Sequence, residues 1–253
     1  MTISPPGSPI TCEGITHLLL DIEGTTCPVS FVAEELFPYA AAQLETFLRE
    51  HRQDSHVTAL LAETDAAWAI DTDPAAQRLR HQSDALVIDY LQLLIRHDRK
   101  LPALKQLQGL IWEQGYAAGV LRAPLFADVP QALQRWKKQG LVLAVYSSGS
   151  VKAQQLLYGH SSGGDLRGCF SHWFDTRSGA KREPASYSGI ANAMDAEPSR
   201  ILFISDALEE CVAARQAGLQ VLFSSRPGNP ARDAEDFDRV ESYANLVIPQ
   251  GPG

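Results

Sequence analysis

Two carboxylates, Asp21 and Glu23, stand one residue apart at the end of an apolar run, followed by Gly24 and the hydroxyls of Thr25 and Thr26. Alternate side chains of an extended backbone share a side, so this spacing faces both acids the same way. Carboxylates crowded together repel unless a hard cation lies between them or one holds a proton. Gly24 permits a sharp turn that bares backbone N–H groups. A plain strand end followed by a polar turn would look the same. Three further stretches carry reactive groups. Ser147-Ser148-Gly149-Ser150 offers hydroxyls and N–H groups able to hold an anion at a helix N-terminus, or simply a helix-capping serine. Lys181, in Gly179-Ala-Lys-Arg-Glu-Pro184, could neutralise a phosphate or stand in solvent. Asp206 ends the run Phe203-Ile-Ser-Asp206 with Glu209 and Glu210 behind it, and reads equally as a metal ligand or a helix cap.

These groups need elements to hold them. Leu18–Leu20 reads as a buried strand of a parallel sheet, and in open α/β sheets chemistry sits beyond the carboxyl ends of strands. From Phe126 onward the pattern alternates. A helix begins at Asp128 and Pro130, runs to Lys138 and stops at Gly140. Strand Leu141–Val145, helix Ser150–Leu157, strand Ile201–Ile204, helix Glu209–Ala217 closed by Gly218, and strand Leu219–Phe223 follow. Such alternation demands a parallel sheet with right-handed crossovers, so the first strand belongs with the second half of the chain.

Between them the periodicity is helical. Phe31, Leu36, Leu44 and Leu48 mark one helix; Leu60, Leu61, Trp68 and Ile70 a second. Ser83 opens a third through Leu86, Tyr90, Leu93 and Leu94, and a fourth covers Leu104–Val120. The expected fold is α/β: a Rossmann-like parallel-sheet core over 15–30 and 124–253, with an inserted helical cap over 31–123. The insertion follows the first strand, where it can act as a lid. Residues 1–14 read as a flexible tail, and the stretch from Arg226 to Leu246 as loop.

The chain has 253 residues, 45% apolar and 21% charged, as expected of a soluble globular protein. A net charge of −8 argues against nucleic acid or an anionic membrane as partner. The four cysteines, Cys12, Cys27, Cys169 and Cys211, show no metal or disulfide spacing, which points to a reduced, cytoplasmic setting. The N-terminal residues lack the basic start and apolar core of a signal peptide, and no apolar run approaches membrane-spanning length.

Taken in order, strand-Asp-x-acid-Gly-Thr, strand-Ser, loop Lys and strand-acid resemble the phosphatases of the haloacid dehalogenase superfamily. The likeness narrows through Asp21-Ile-Glu-Gly-Thr-Thr26, Leu36-Phe-Pro-Tyr39, Leu107-Gln-Gly109 with Trp112, Phe126-Ala-Asp-Val129, Tyr146-Ser-Ser-Gly-Ser150, Gly159-His-Ser161, Phe174-Asp-Thr176 and Arg226-Pro-Gly-Asn229. These resemble the enolase-phosphatases of the methionine salvage pathway, from about residue 15 to 230. Glu23, where most superfamily phosphatases carry Asp, is a distinguishing mark. One departure is Ala180, before Lys181, where relatives carry His.

The resemblance implies a Mg²⁺-dependent phosphomonoester hydrolase, an acireductone synthase, with one Mg²⁺ per chain bound by Asp21, Glu23 and Asp206. Glu23 would ligate through its side chain or its backbone carbonyl. Asp21 would be the nucleophile and form an aspartyl-phosphate; Glu23 would be general acid and base. Ser147, Ser148 and Lys181 would hold phosphate oxygens. The implied substrate is a small phosphorylated diketone, 2,3-diketo-5-methylthiopentyl-1-phosphate, enolised and then hydrolysed; a monomer is expected. Glu23, His81, Gln82 and Trp112 are open choices for the enolisation base, and Phe31, Phe37 and Trp112 for a pocket around the methylthio end. Two rivals stand beside this reading. One is a haloacid dehalogenase or broad sugar phosphatase, the other a non-catalytic scaffold. Glu23 and Asp206 speak against a metal-free dehalogenase, the likeness in the helical insertion against a sugar phosphatase, and the intact acidic set against a scaffold.

Overall fold

The computed structural model describes residues 9–84, 86–97 and 99–249. Within the stretch read as a flexible tail, residues 1–8 lie outside the described residues. Ile10–Thr11 (β1) forms a short parallel pair with Leu246–Val247. The chain then enters His17–Leu20 (β2), where Leu18, Leu19 and Leu20 are fully buried. An uninterrupted apolar run is what a central parallel strand, covered on both faces, requires.

Contacts divide the chain into two units, residues 1–31 with 122–253, and residues 32–121. The chain passes into the second through a turn of π-helix, Phe31–Leu36. The helical unit then runs through Phe37–Glu50 (α1), Ser55–Ala69 (α2), Pro74–Arg80 (α3), Val87–Arg96 (α4) and Pro102–Ala117 (α5). Its own core gathers Leu44, Phe47, Leu60, Trp68, Leu91, Leu107 and Ile111. Helix α3 escaped the sequence reading because its seven residues are too short for a periodic stripe; Asp73 starts it by accepting the N–H groups of Ala75 and Ala76. Helix α4 opens at Val87 rather than Ser83, with Asp89 accepting the Leu86 N–H.

Back in the first unit come Val129–Lys138 (α6), Val142–Tyr146 (β3), Val151–Gly159 (α7), His172–Phe174 (β4), Pro184–Ala193 (α8), Ile201–Ser205 (β5), Leu208–Gln216 (α9), Gln220–Ser224 (β6), Arg239–Val240 (β7) and Leu246–Val247 (β8). Six strands form one parallel sheet in the order β4-β3-β2-β5-β6-β7. Strand β2 lies at its centre: Leu20 is paired with Val145 on one side and Ile204 on the other. This is the α/β parallel-sheet fold expected from the alternating pattern. The sequence reading missed β4 and β7, three and two residues long, and α8, whose buried face is the mixed set Ser186, Tyr187, Ile190 and Ala191.

Candidate active site

The register of the sheet decides what meets at its carboxyl end. Strands β3, β2 and β5 are neighbours, so the residues that follow them, Ser147, Asp21 and Asp206, leave the sheet side by side. Asp21 and Asp206 are 5% and 7% exposed.

Asp21 is held from three directions. Its Oδ1 accepts the Ile22 N–H at 2.8 Å and faces Lys181 Nζ at 2.8 Å, while Ser205 Oγ lies 3.2 Å from Oδ2. Lys181 is therefore not a solvated loop lysine: its side chain is 10% exposed, with Nζ also 2.6 Å from Glu210 Oε2. Burial alone would lower the ammonium's hold on its proton, but the carboxylates of Asp21 and Glu210 outweigh burial and raise it. Burial and the Asp21 charge push the Glu210 carboxyl upward against the pull of Lys181. The sequence reading assigned Glu210 no role. It lies in the first turn of α9, four residues beyond Asp206, and that closeness in sequence to a chemistry-bearing acid was the available signal.

The loop bearing Lys181 is fastened by its carbonyls. Tyr146 Oη donates to Gly179 O at 2.9 Å, Ser186 Oγ to Ala180 O at 2.8 Å, and Tyr187 Oη to Lys181 O at 2.7 Å. The side chain at position 180 takes no part in these bonds, so alanine there leaves the fastening intact. Gly179 has φ of +130°, and a Cβ on it would lie 2.1 Å from Ser186 Oγ.

Gly24 brings the two acidic loops together. Its φ is +72°, and a Cβ on it would lie 2.0 Å from Asp206 Oδ2; only glycine lets the Asp206 carboxylate press against this turn. Burial, then Asp21, then Glu23 push the Asp206 carboxyl up to about 6, opposed by Arg232, whose Nη1 is 2.9 Å from Oδ2. Arg232 was not singled out from the sequence; it stands in the Pro- and Gly-rich stretch read as loop. Four carboxylates, Asp21, Glu23, Asp206 and Glu210, thus share one neighbourhood with two cations, Lys181 and Arg232. A divalent cation matches this negative surplus, and carboxylate and carbonyl oxygens are the donors a hard ion takes. Among the described residues no three Asp, Glu, His or Cys side chains gather into a metal-binding cluster. Lys181 pairs with Asp21 and Arg232 with Asp206, and Glu23 is half-buried with its backbone bridged to Cys27.

After β3, Ser147 is buried, and its Oγ accepts the Gly149 N–H at 3.3 Å. Ser148 is exposed. Ser150 is the helix cap, accepting the Ala153 N–H at 3.3 Å. The cap is thus Ser150, and Ser147 and Ser148 stand outside the capping role. In the helical unit Trp112 donates its indole N–H to Leu36 O at 2.8 Å and meets Phe37 edge-on at 5.9 Å. Indole has no acceptor, so Trp112 cannot serve as a base. His81 and Gln82 are exposed at the end of α3; Phe31 is buried, and Phe37 is 37% exposed.

Residues 15–218 match the haloacid dehalogenase-like hydrolases. The chain is 48% identical to Enolase-phosphatase E1 of Synechococcus sp. (strain CC9902), covering 92% of this chain and 98% of that protein. It is 47% identical to Enolase-phosphatase E1 of Prochlorococcus marinus (strain MIT 9313), with the same coverage. Among solved structures it is similar to the UTR4 protein of Saccharomyces cerevisiae, with a TM-score of 0.72 and 34% identity over 90% of this chain and 98% of that one.

Proposed function

The chain belongs to the enolase-phosphatases of the haloacid dehalogenase-like hydrolases, and on that premise we propose that it enolises 2,3-diketo-5-methylthiopentyl-1-phosphate and hydrolyses the enol phosphate to the acireductone and phosphate. It is a phosphatase. The observation that carries the fuller reading is the buried contact of Lys181 with Asp21 at the carboxyl end of β2, next to Asp206. A nucleophilic carboxylate, a cation for phosphate oxygens and a second acid stand together there.

In this reading Asp21 attacks phosphorus, and the bond from phosphorus to the enol oxygen breaks as an aspartyl-phosphate forms. Glu23 gives a proton to the leaving oxygen, then takes one from the water that cleaves the aspartyl-phosphate. Lys181, Ser147 and Ser148 hold the phosphate oxygens, and donors placed where charge develops are worth roughly 100-fold or more each. Mg²⁺ would be held by Asp21, Asp206 and the backbone carbonyl of Glu23, where it offsets phosphate charge. For enolisation Glu23, His81 and Gln82 stay open as the base, and Trp112 is excluded because its indole has no acceptor. Phe37 and Trp112, which meet edge-on in the helical unit, are the apolar candidates for the methylthio end. The setting is cytoplasmic and the protein a monomer; among the described residues no helix is long and apolar enough to cross a membrane.

The test follows phosphate release from the diketone phosphate with and without EDTA, reading the enol by its ultraviolet absorbance. The wild type should release phosphate only with Mg²⁺, and Asp21→Asn should accumulate enol without releasing phosphate. Absence of both enol and phosphate from the wild type would reject the substrate. Enol lost together with phosphate in Asp21→Asn would reject the division of labour.

A further inference from the structure

The segment Arg226-Pro-Gly-Asn229 has no part in the chemistry above, yet it is built as a rigid arm. Arg226 roots it. The guanidinium is 1% exposed, bonded to Asp128 at 2.6 and 3.0 Å and to Glu241 O at 3.0 Å. It lies between the rings of Phe126 and Tyr243, 4.5 and 4.4 Å from their centroids. A buried guanidinium with this many partners has little freedom to move. Pro227 and Gly228 then make a tight turn, closed by the Asn229 N–H on Arg226 O at 3.2 Å. Gly228 at φ +88° takes the third position, as in a type II turn.

At the tip of the arm, the Asn229 side chain spans the acidic loop. Its Nδ2 donates to Gly24 O at 3.2 Å, and its Oδ1 accepts the Val29 N–H at 3.2 Å. The two bonds fix the amide's orientation: a flipped amide would set oxygen against oxygen and N–H against N–H. Ser224 Oγ, at the end of β6, donates to the same Gly24 carbonyl at 3.0 Å. Gly24 directly follows Glu23 and presses on Asp206, so whatever holds its carbonyl sets how the acidic loop meets Asp206.

We propose that Asn229 is a positioning residue that clasps the loop from Gly24 to Val29, and thereby fixes where the Asp21–Glu23 stretch stands against Asp206. It touches no reacting atom; it acts through Gly24. The inference rests on the proposed function for the choice of substrate, so two of its measurements use none. They are amide hydrogen exchange over residues 22–29 and Mg²⁺ binding by calorimetry, made on the full chain.

Asn229→Ala should speed exchange over 22–29, weaken Mg²⁺ binding by about 10-fold, and lower kcat by roughly 10- to 100-fold, the scale that a misplacement near 1 Å produces. Asn229→Asp has the same shape and still accepts from Val29, but it sets a carboxylate oxygen against the Gly24 carbonyl, so its kcat should fall as well. Ser224→Ala should have a smaller effect, and the double variant with Asn229→Ala should not be additive, because both donors act on one carbonyl. Gln220→Ala is the control. It removes two bonds of similar length, to Glu13 O and Ser199 O at 3.1 Å each, and should shift Tm without changing kcat or Mg²⁺ binding. A lowered Tm in Asn229→Ala with unchanged exchange, Mg²⁺ affinity and kcat would overturn the inference and leave a structural role. Wild type that releases no phosphate from the diketone phosphate would count against the proposed function alone, since exchange over 22–29 still decides the clasp.

Discussion

At the scale of single residues, the site is a balance of buried charge. Lys181 is the shared counterion of Asp21 and Glu210. Lys181→Met removes it without removing the carboxylates, and breaking a buried pair from one side costs about 3–5 kcal/mol. Urea denaturation should read that loss, and phosphate release should fall by roughly 100-fold or more; a variant as stable as wild type would mean that solvent reaches the acids. Gly24→Ala asks for something else. An L residue at this φ costs about 1–2 kcal/mol, and its methyl group would stand where Asp206 Oδ2 now lies. Calorimetry should find Mg²⁺ binding lost while far-ultraviolet circular dichroism is retained.

At the scale of elements, the helical unit carries an ionic knot of its own. Asp71 accepts from Tyr90 Oη at 2.7 Å and pairs with Arg99 at 2.8 Å, and Tyr90 stacks on Trp68 with centroids 5.1 Å apart. This ties the start of α3, α4 and the end of α2 together. The Arg99 guanidinium, against the opposing effect of burial, pulls the Asp71 carboxyl down to about 2, helped by the Asp73 N–H and Tyr90. The folded value lies below the ordinary 3.8, so the stabilisation is complete above that pH and is lost as pH falls toward 2. Asp71→Asn should therefore lower stability at neutral pH and make the loss between about pH 4 and 2 shallower, as read by circular dichroism on acid titration. An unchanged acid profile would show that the knot does not hold the unit.

At the scale of the whole molecule, metal and fold are linked. A cation bound only by the folded chain adds about 2.7 kcal/mol at a free concentration one hundred times its Kd. Mg²⁺ should therefore raise Tm, EDTA should reverse the rise, and Asp206→Asn should abolish it. A wild-type Tm indifferent to Mg²⁺ would exclude Mg²⁺ as a ligand of this surplus of carboxylates. Asp21 and Asp206 directly follow the neighbouring parallel strands β2 and β5, so unfolding the sheet disperses them, and metal affinity and sheet stability should fall together across destabilising variants of β2 and β5.

The sequence by itself determined the elements whose signals are local. The buried run Leu18–Leu20, the helix stop at Gly140 and the strand–helix alternation after Phe126 were legible because periodicity and turn chemistry are carried by adjacent residues. Asp21, Lys181 and Asp206 could be picked out as chemistry-bearing, because each stands at the end of an apolar run or in a recognisable stretch. Strands β4 and β7, three and two residues long, and the seven-residue helix α3 were not legible, since two or three residues make no apolar run and seven span barely two helical turns; their existence rests on neighbours distant in sequence. Only the tertiary structure decided how charges pair. That Lys181 is buried against Asp21 and Glu210, that Arg232 reaches Asp206, that Asp128 is occupied by Arg226, and that Asn229 clasps a loop two hundred residues away all depend on which strand ends the sheet order makes neighbours. A side chain's type is a property of the sequence. Its partner, and so its charge state and chemistry, is a property of the fold that brings remote residues within hydrogen-bond reach.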